Sequence, residues 1–115
     1  MSDCVFCKIA NKEVSSNIVF EDDDFVVFED INPFGPVALL VAPRDHIETI
    51  VDLDEKSEAL SALMILGIKM VKKYNLDKKG FSFHINGGGV QEVNHLHLKI
   101  GGAWMSPESP GYPKW

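Results

Sequence analysis

Residues 95–100 read HLHLKI, a strict alternation of polar and aliphatic side chains. On a strand, successive side chains point to opposite faces. Leu96, Leu98 and Ile100 therefore share one face, and His95, His97 and Lys99 share the other. The aliphatic set demands a core, which leaves the two histidines and the lysine facing a site or solvent. A chain of 115 residues, 45% of them hydrophobic, has material for a single domain, 1–115, around one core. This strand must therefore belong to a sheet packed on at least one face, and the remaining segments indicate what packs there.

Residues 3–11 predict a short helix, with Asp3 as its cap and Val5, Phe6 and Ile9 as its apolar edge. NIVFED and DFVVFED, divided by Asp22–Asp24, predict a β-hairpin. INPFGP is a connector, and VALLVA is an unbroken apolar run suited to a central strand covered on both faces and ended by Pro43. A long helix is expected from about Asp54 to Asn75. Leu60, Leu63, Met64, Gly67, Met70, Val71 and Tyr74 recur at helical spacing, and Asp52 with Glu55 resembles a capping box. FSFHIN is an alternating strand, GGGVQEV a glycine-rich loop, and HLHLKI the last strand. The remainder, 101–115, carries three prolines with Trp104 and Trp115 and predicts an irregular tail. The order points to an α+β domain: a five-stranded antiparallel sheet with one short and one long helix.

Composition excludes several classes. The net charge is -6, from 11 basic and 17 acidic residues, so nucleic acid is not the expected main partner. No apolar run approaches the roughly 18 residues a membrane helix needs. MSDCVFCK lacks the layout of a secretion signal, which makes the cytoplasm the expected compartment. There, Cys4 and Cys7 are not expected to form a structural disulfide. Their C-x-x-C spacing suits half a zinc site or two small buried hydrophobes. With His46 and one histidine of the final strand they would make a Cys2His2 set.

Two histidines and a lysine after a triple glycine carry further chemistry. Glycine-loop N–H groups suit phosphate oxygens. A neutral imidazole is a nucleophile toward phosphorus, a general base or a metal ligand. His84 falls on the polar face of FSFHIN. If the last two strands pair, that face lies beside His97.

At CVFCKIANKE, VVFEDINP, LLVAPRDHIETI and QEVNHLHLKI the chain resembles the histidine triad (HIT) family of nucleotide hydrolases and transferases, in the family's order and over nearly the whole length. The resemblance implies a homodimeric enzyme with a HIT-like fold that binds a purine nucleotide, typically of adenine. It would cleave at the α-phosphorus of a nucleoside phosphoramidate or a (di)nucleoside polyphosphate through a nucleotidyl-His97 intermediate. By position, Phe6, Ile9, Phe28 and Ile31 would hold the base and Asp30 the ribose. Asn86, Gln91 and the loop amides, Gly89 among them, would hold phosphate. Some members carry zinc on the residues that match Cys4, Cys7, His46 and His95, and the catalysis itself needs no metal.

The chain also departs from the family pattern. Lys99 stands at the third triad histidine, Ala38 at another active-site histidine, and Glu92 where a small residue often follows the loop glutamine. Lys99 would contact phosphate as a point cation. Losing a general acid or base typically costs about two to four orders of magnitude in rate. A nucleotide-binding or sensing protein with little turnover is therefore the rival reading. A purely structural zinc protein would leave Asp30 and the glycine loop unexplained.

Overall fold

The computed structural model describes residues 4–33 and 35–103. The short helix α1 (Val5–Ala10) is followed by β1 (Ile18–Glu21), β2 (Phe25–Glu29) and β3 (Val37–Pro43). The long helix α2 (Glu58–Lys73), β4 (Phe81–His84) and β5 (Leu98–Gly102) complete the order. The strands form one antiparallel sheet, β1-β2-β3-β5-β4, so the expected α+β architecture holds.

The sheet has a packed layer on each face, and alternation along the strands assigns the layers. Val27, Leu39, Val41, Leu98 and Ile100 join Leu63, Leu66, Met70 and Val71 of α2 in the larger core. Val26, Phe28, Leu40 and Ala42 join Phe6, Ile9 and Ala10 of α1 in the smaller one. β3 is thus covered on both sides, as its continuous apolar run predicts. Helix α2 comes so close that a Cβ at Gly67 would lie 2.7 Å from Leu98 Cδ2 and 3.1 Å from Phe83 Cζ.

Local chemistry fixes the turns. Asp22 Oδ1 accepts from the Asp24 N–H (2.9 Å) and the Phe25 N–H (2.7 Å), an Asx turn that closes the β1–β2 hairpin. Arg44, just past β3, donates to Asp22 O, Ala10 O and Glu21 Oε1 at 2.7, 2.6 and 2.9 Å. One guanidinium therefore ties the hairpin to the C-terminal end of α1.

Several expectations need correction. Asp3 lies outside the described residues; the cap of α1 is Cys4, whose Sγ accepts from the Cys7 N–H at 3.5 Å. Helix α2 starts at Glu58 behind an N-cap at Ser57, not near Asp54, because Asp52 is used to cap a separate 3-10 turn, Ile50–Asp52, with Thr49. β4 ends at His84, before Asn86. β5 begins at Leu98, because the N–H of Leu96 goes instead to the Ile47 carbonyl at 2.6 Å. It also runs to Gly102, into the stretch expected to be irregular, because Gly101 and Gly102 pair with Ala38 and Val37 of β3. Trp104 and Trp115 lie outside the described residues.

Candidate active site and metal centre

Helix α1 carries one residue set toward a metal centre and another toward a cleft. Its cap, Cys4, and its third residue, Cys7, meet His46 from the segment after β3 and His95 from the segment before β5. The four ligand atoms all lie within 4.8 Å of one another. His95 Nδ1 is 3.3 Å from Cys4 Sγ and 3.5 Å from Cys7 Sγ, and His46 Nδ1 is 3.3 Å from Cys7 Sγ. A tetrahedral zinc with ordinary Zn–S and Zn–N bonds would set sulfur–nitrogen edges of about 3.6 Å. The geometry therefore fits zinc.

The tautomer of His95 agrees. Its Nε2 lies 2.7 Å from the Pro43 carbonyl oxygen, which can only accept, so Nε2 carries the proton and Nδ1 presents its lone pair to the cysteines. His95 is fully buried, and burial first, then the neighbouring imidazole of His46, pulls its pKa below the usual histidine value. The Pro43 bond opposes this. A neutral ring is the form a metal takes.

The cleft lies on the same face of the sheet and has a volume of about 290 Å³. Phe6 and Ile9 of α1, Phe28 of β2 and Leu40 of β3 form apolar walls. Ile31 also lines it, although 88% exposed. Asp30 stands at the end of β2, where its Oδ1 accepts from the Asn32 N–H at 2.9 Å.

His97 and Lys99 complete the floor. His97 is 2% exposed, and its Nδ1 lies 2.7 Å from the His95 carbonyl oxygen. Nδ1 therefore carries the proton, leaving the Nε2 lone pair available. Burial, followed in size by the opposing His95 bond and then by the Lys99 charge, sets a net downward shift of the His97 pKa, so the ring stays neutral to lower pH than a free histidine.

The remaining sequence-predicted residues are more scattered. Asn86, Gly89 and Gln91 do not line this cleft. The Gly89 N–H donates to Gln91 Oε1 (3.0 Å), and Gln91 Nε2 donates to the Glu48 carbonyl (3.3 Å), which braces the loop against the segment after β3. Gly88 and Gly89 have φ of +69° and +94°, left-handed conformations that favour glycine. Ala38 is absent from the cleft lining, and His84 lies opposite Lys99, on the face that also carries His97, as expected.

Sequence reasoning missed the Pro43 carbonyl that orients His95, the Arg44 clamp on α1, and the pairing of Lys99 Nζ with Glu92 Oε1 at 3.3 Å. None leaves a local sequence signal, because each partner lies on a different segment.

Known proteins resemble this chain in sequence and in fold. The family model described as "Scavenger mRNA decapping enzyme C-term binding" matches residues 3–108. Protein HitA of Neisseria gonorrhoeae is 39% identical over 104 residues, 89% of this chain and 97% of the relative. The 14 kDa zinc-binding protein of Brassica juncea is 37% identical over 109 residues, 90% of this chain and 96% of the relative. Adenylylsulfatase HINT1 of Arabidopsis thaliana is 37% identical over 110 residues, 91% of this chain and 75% of the relative. Among solved structures, a HIT family hydrolase from Legionella pneumophila superposes with a TM-score of 0.82 at 40% identity, over 87% of this chain and 92% of that one. A zinc-bound histidine triad protein from Mycobacterium smegmatis superposes at 0.84 with 25% identity, over 97% and 83%. By sequence and fold together, the chain belongs to the histidine triad family.

Proposed function

We propose that the protein is a nucleotide hydrolase that attacks the α-phosphorus of a nucleoside phosphoramidate or (di)nucleoside polyphosphate with His97. The observation that carries this reading is the hydrogen bond from His97 Nδ1 to the His95 carbonyl, which leaves an unprotonated Nε2 in a cleft shared with Asp30 and Lys99. Nε2 would form the bond to phosphorus as the bond to the leaving group breaks, an amine departing with a proton taken from solvent, which the later hydrolysis returns, and a polyphosphate departing as its anion. Water would then cleave the phosphorus–nitrogen bond, releasing the nucleoside monophosphate and the neutral imidazole. Phe6, Ile9, Phe28 and Ile31 suit a purine base, typically adenine, and Asp30 the ribose hydroxyls. Asn86, Gln91 and the Gly89 amide would reach phosphate only if the loop turns toward the cleft.

In this reading Cys4, Cys7, His46 and His95 hold a structural zinc. When bound, it would supply a closed four-ligand cross-link and no chemistry to the substrate. The relatives named for zinc binding and for adenylylsulfatase activity support the two halves of the proposal. A homodimer in the cytoplasm is part of it. Among the described residues no helix is long and apolar enough to cross a membrane.

One observation favours a second reading, nucleotide binding with negligible turnover: the only ammonium among the described cleft-lining residues, Lys99, is already engaged by Glu92. Release of AMP from adenosine 5′-phosphoramidate separates the two. Turnover by the wild type and its loss in His97→Ala supports the hydrolase. Tight binding without turnover supports the alternative.

A further inference from the structure

The Lys99–Glu92 pair has a direction. The lysine side chain is 16% exposed and the glutamate side chain 70%, so the cation is the inner member and the carboxylate the outer one. His97 lies deeper still, at 2% exposure. A displacement that begins at His97 expels the leaving group away from it, because attacking and departing atoms lie roughly in line. Because His97 is the most buried of the three, that direction leads toward the mouth of the cleft, whose lining includes the exposed Glu92. The charge around the path is lopsided. Glu29, Asp30 and Glu92 all line the cleft, against Lys99 as the sole fixed cation among the described lining residues. The chain as a whole carries -6. One lysine can offset one phosphoryl charge. A leaving group bearing further phosphates would bring several more negative charges to a mouth already occupied by a carboxylate.

We propose that Glu92 is a specificity-determining residue that selects the leaving group by charge, favouring amines with a positive charge beyond the scissile bond and disfavouring polyphosphate chains. This rests on His97 being the nucleophile, since that fixes which way the leaving group departs. Glu92 touches the departing portion of the substrate and leaves the reacting atoms alone. The adenosine monophosphate half is then common to all substrates, and discrimination lies in the other half.

The test compares adenosine 5′-phosphoramidates of a diamine, whose far end is cationic, and of an amino acid, whose far end is a carboxylate, with diadenosine tetraphosphate. Wild-type kcat/KM should fall in that order. Glu92→Gln should raise the two anionic substrates by about tenfold and lower the cationic one, and Glu92→Lys should invert the order. These differences should shrink at high salt, which screens an exposed charge. An equal change for all three substrates in Glu92→Gln would overturn the proposal and leave Glu92 as a partner of Lys99 alone. If His97→Ala turns over all three substrates as the wild type does, the nucleophile assignment fails instead. If the wild type turns over none, calorimetric affinities of the same three compounds for wild type and Glu92→Gln decide the matter. Affinities that shift according to ligand charge support selection by Glu92, and an equal shift for all three overturns it.

Discussion

The ring of Phe6 meets the ring of His97 edge-on, with centroids 5.0 Å apart. The same phenyl ring lies 5.8 Å from His95. Phe6 therefore sits between the metal centre and the cleft, on a six-residue helix whose cap and third residue are Cys4 and Cys7. A helix that short is not stable alone. Arg44 holds one end, and the Cys2His2 cluster holds the other.

Metal removal should therefore be felt at the cleft. Protein purified without chelator should contain about one zinc per chain. Chelation should lower the Tm by at least about 5 °C and weaken nucleotide binding several-fold, because Phe6 loses its anchor. Atomic absorption, differential scanning calorimetry and nucleotide titration check this. Metal-free protein with unchanged Tm and affinity would contradict it.

Lys99→Ala should weaken nucleotide binding, and the loss should diminish as salt is raised, because the lysine acts as a charge. Lys99→His places at that position the residue the family pattern carries and should raise turnover. The gain should be incomplete while Ala38 remains. AMP release by the three proteins across pH measures this. A slower Lys99→His, with a wild-type rate following a lysine titration, would make Lys99 the acid.

Gly102→Ala should destabilise the protein by about 1–3 kcal/mol. A Cβ there would stand 2.7 Å and 2.8 Å from the two methyls of Leu76, which is fully buried, so the leucine would have to shift within a packed core. Urea unfolding should show a lower midpoint at unchanged slope.

The protein should sediment as a dimer at micromolar concentration. β4 is an edge strand, and Phe81 on it is 47% exposed. Ile65 and Ile68 of α2 are 51% and 47% exposed. Such an edge and such side chains call for a cover. A monomer at that concentration would contradict the prediction.

The sheet is legible in the sequence because its alternation is strict: Leu98 and Ile100 face α2, while His95 and His97 face Phe6. Boundaries are less legible because caps compete. Asp52 is an equally good cap for the long helix and for the turn at Thr49, and only the fold decides. Residue type is enough to suggest the metal cluster. It does not reveal the Pro43 carbonyl that selects the His95 tautomer, since any residue supplies a carbonyl. Lys99 and Glu92 are each visible as departures from the family pattern. Their pairing depends on how the loop before β5 folds back, and no periodicity encodes that.

The central claim is a covalent bond between His97 Nε2 and phosphorus. The most direct measurement is alkaline quenching of the wild type during turnover of an adenosine 5′-phosphoramidate, followed by peptide mass spectrometry. An adenylyl group should appear on the peptide carrying His97. It should be absent from His97→Ala, whose AMP release should fall by about a thousandfold or more. An unmodified His97 peptide together with wild-type rates in His97→Ala would contradict the account.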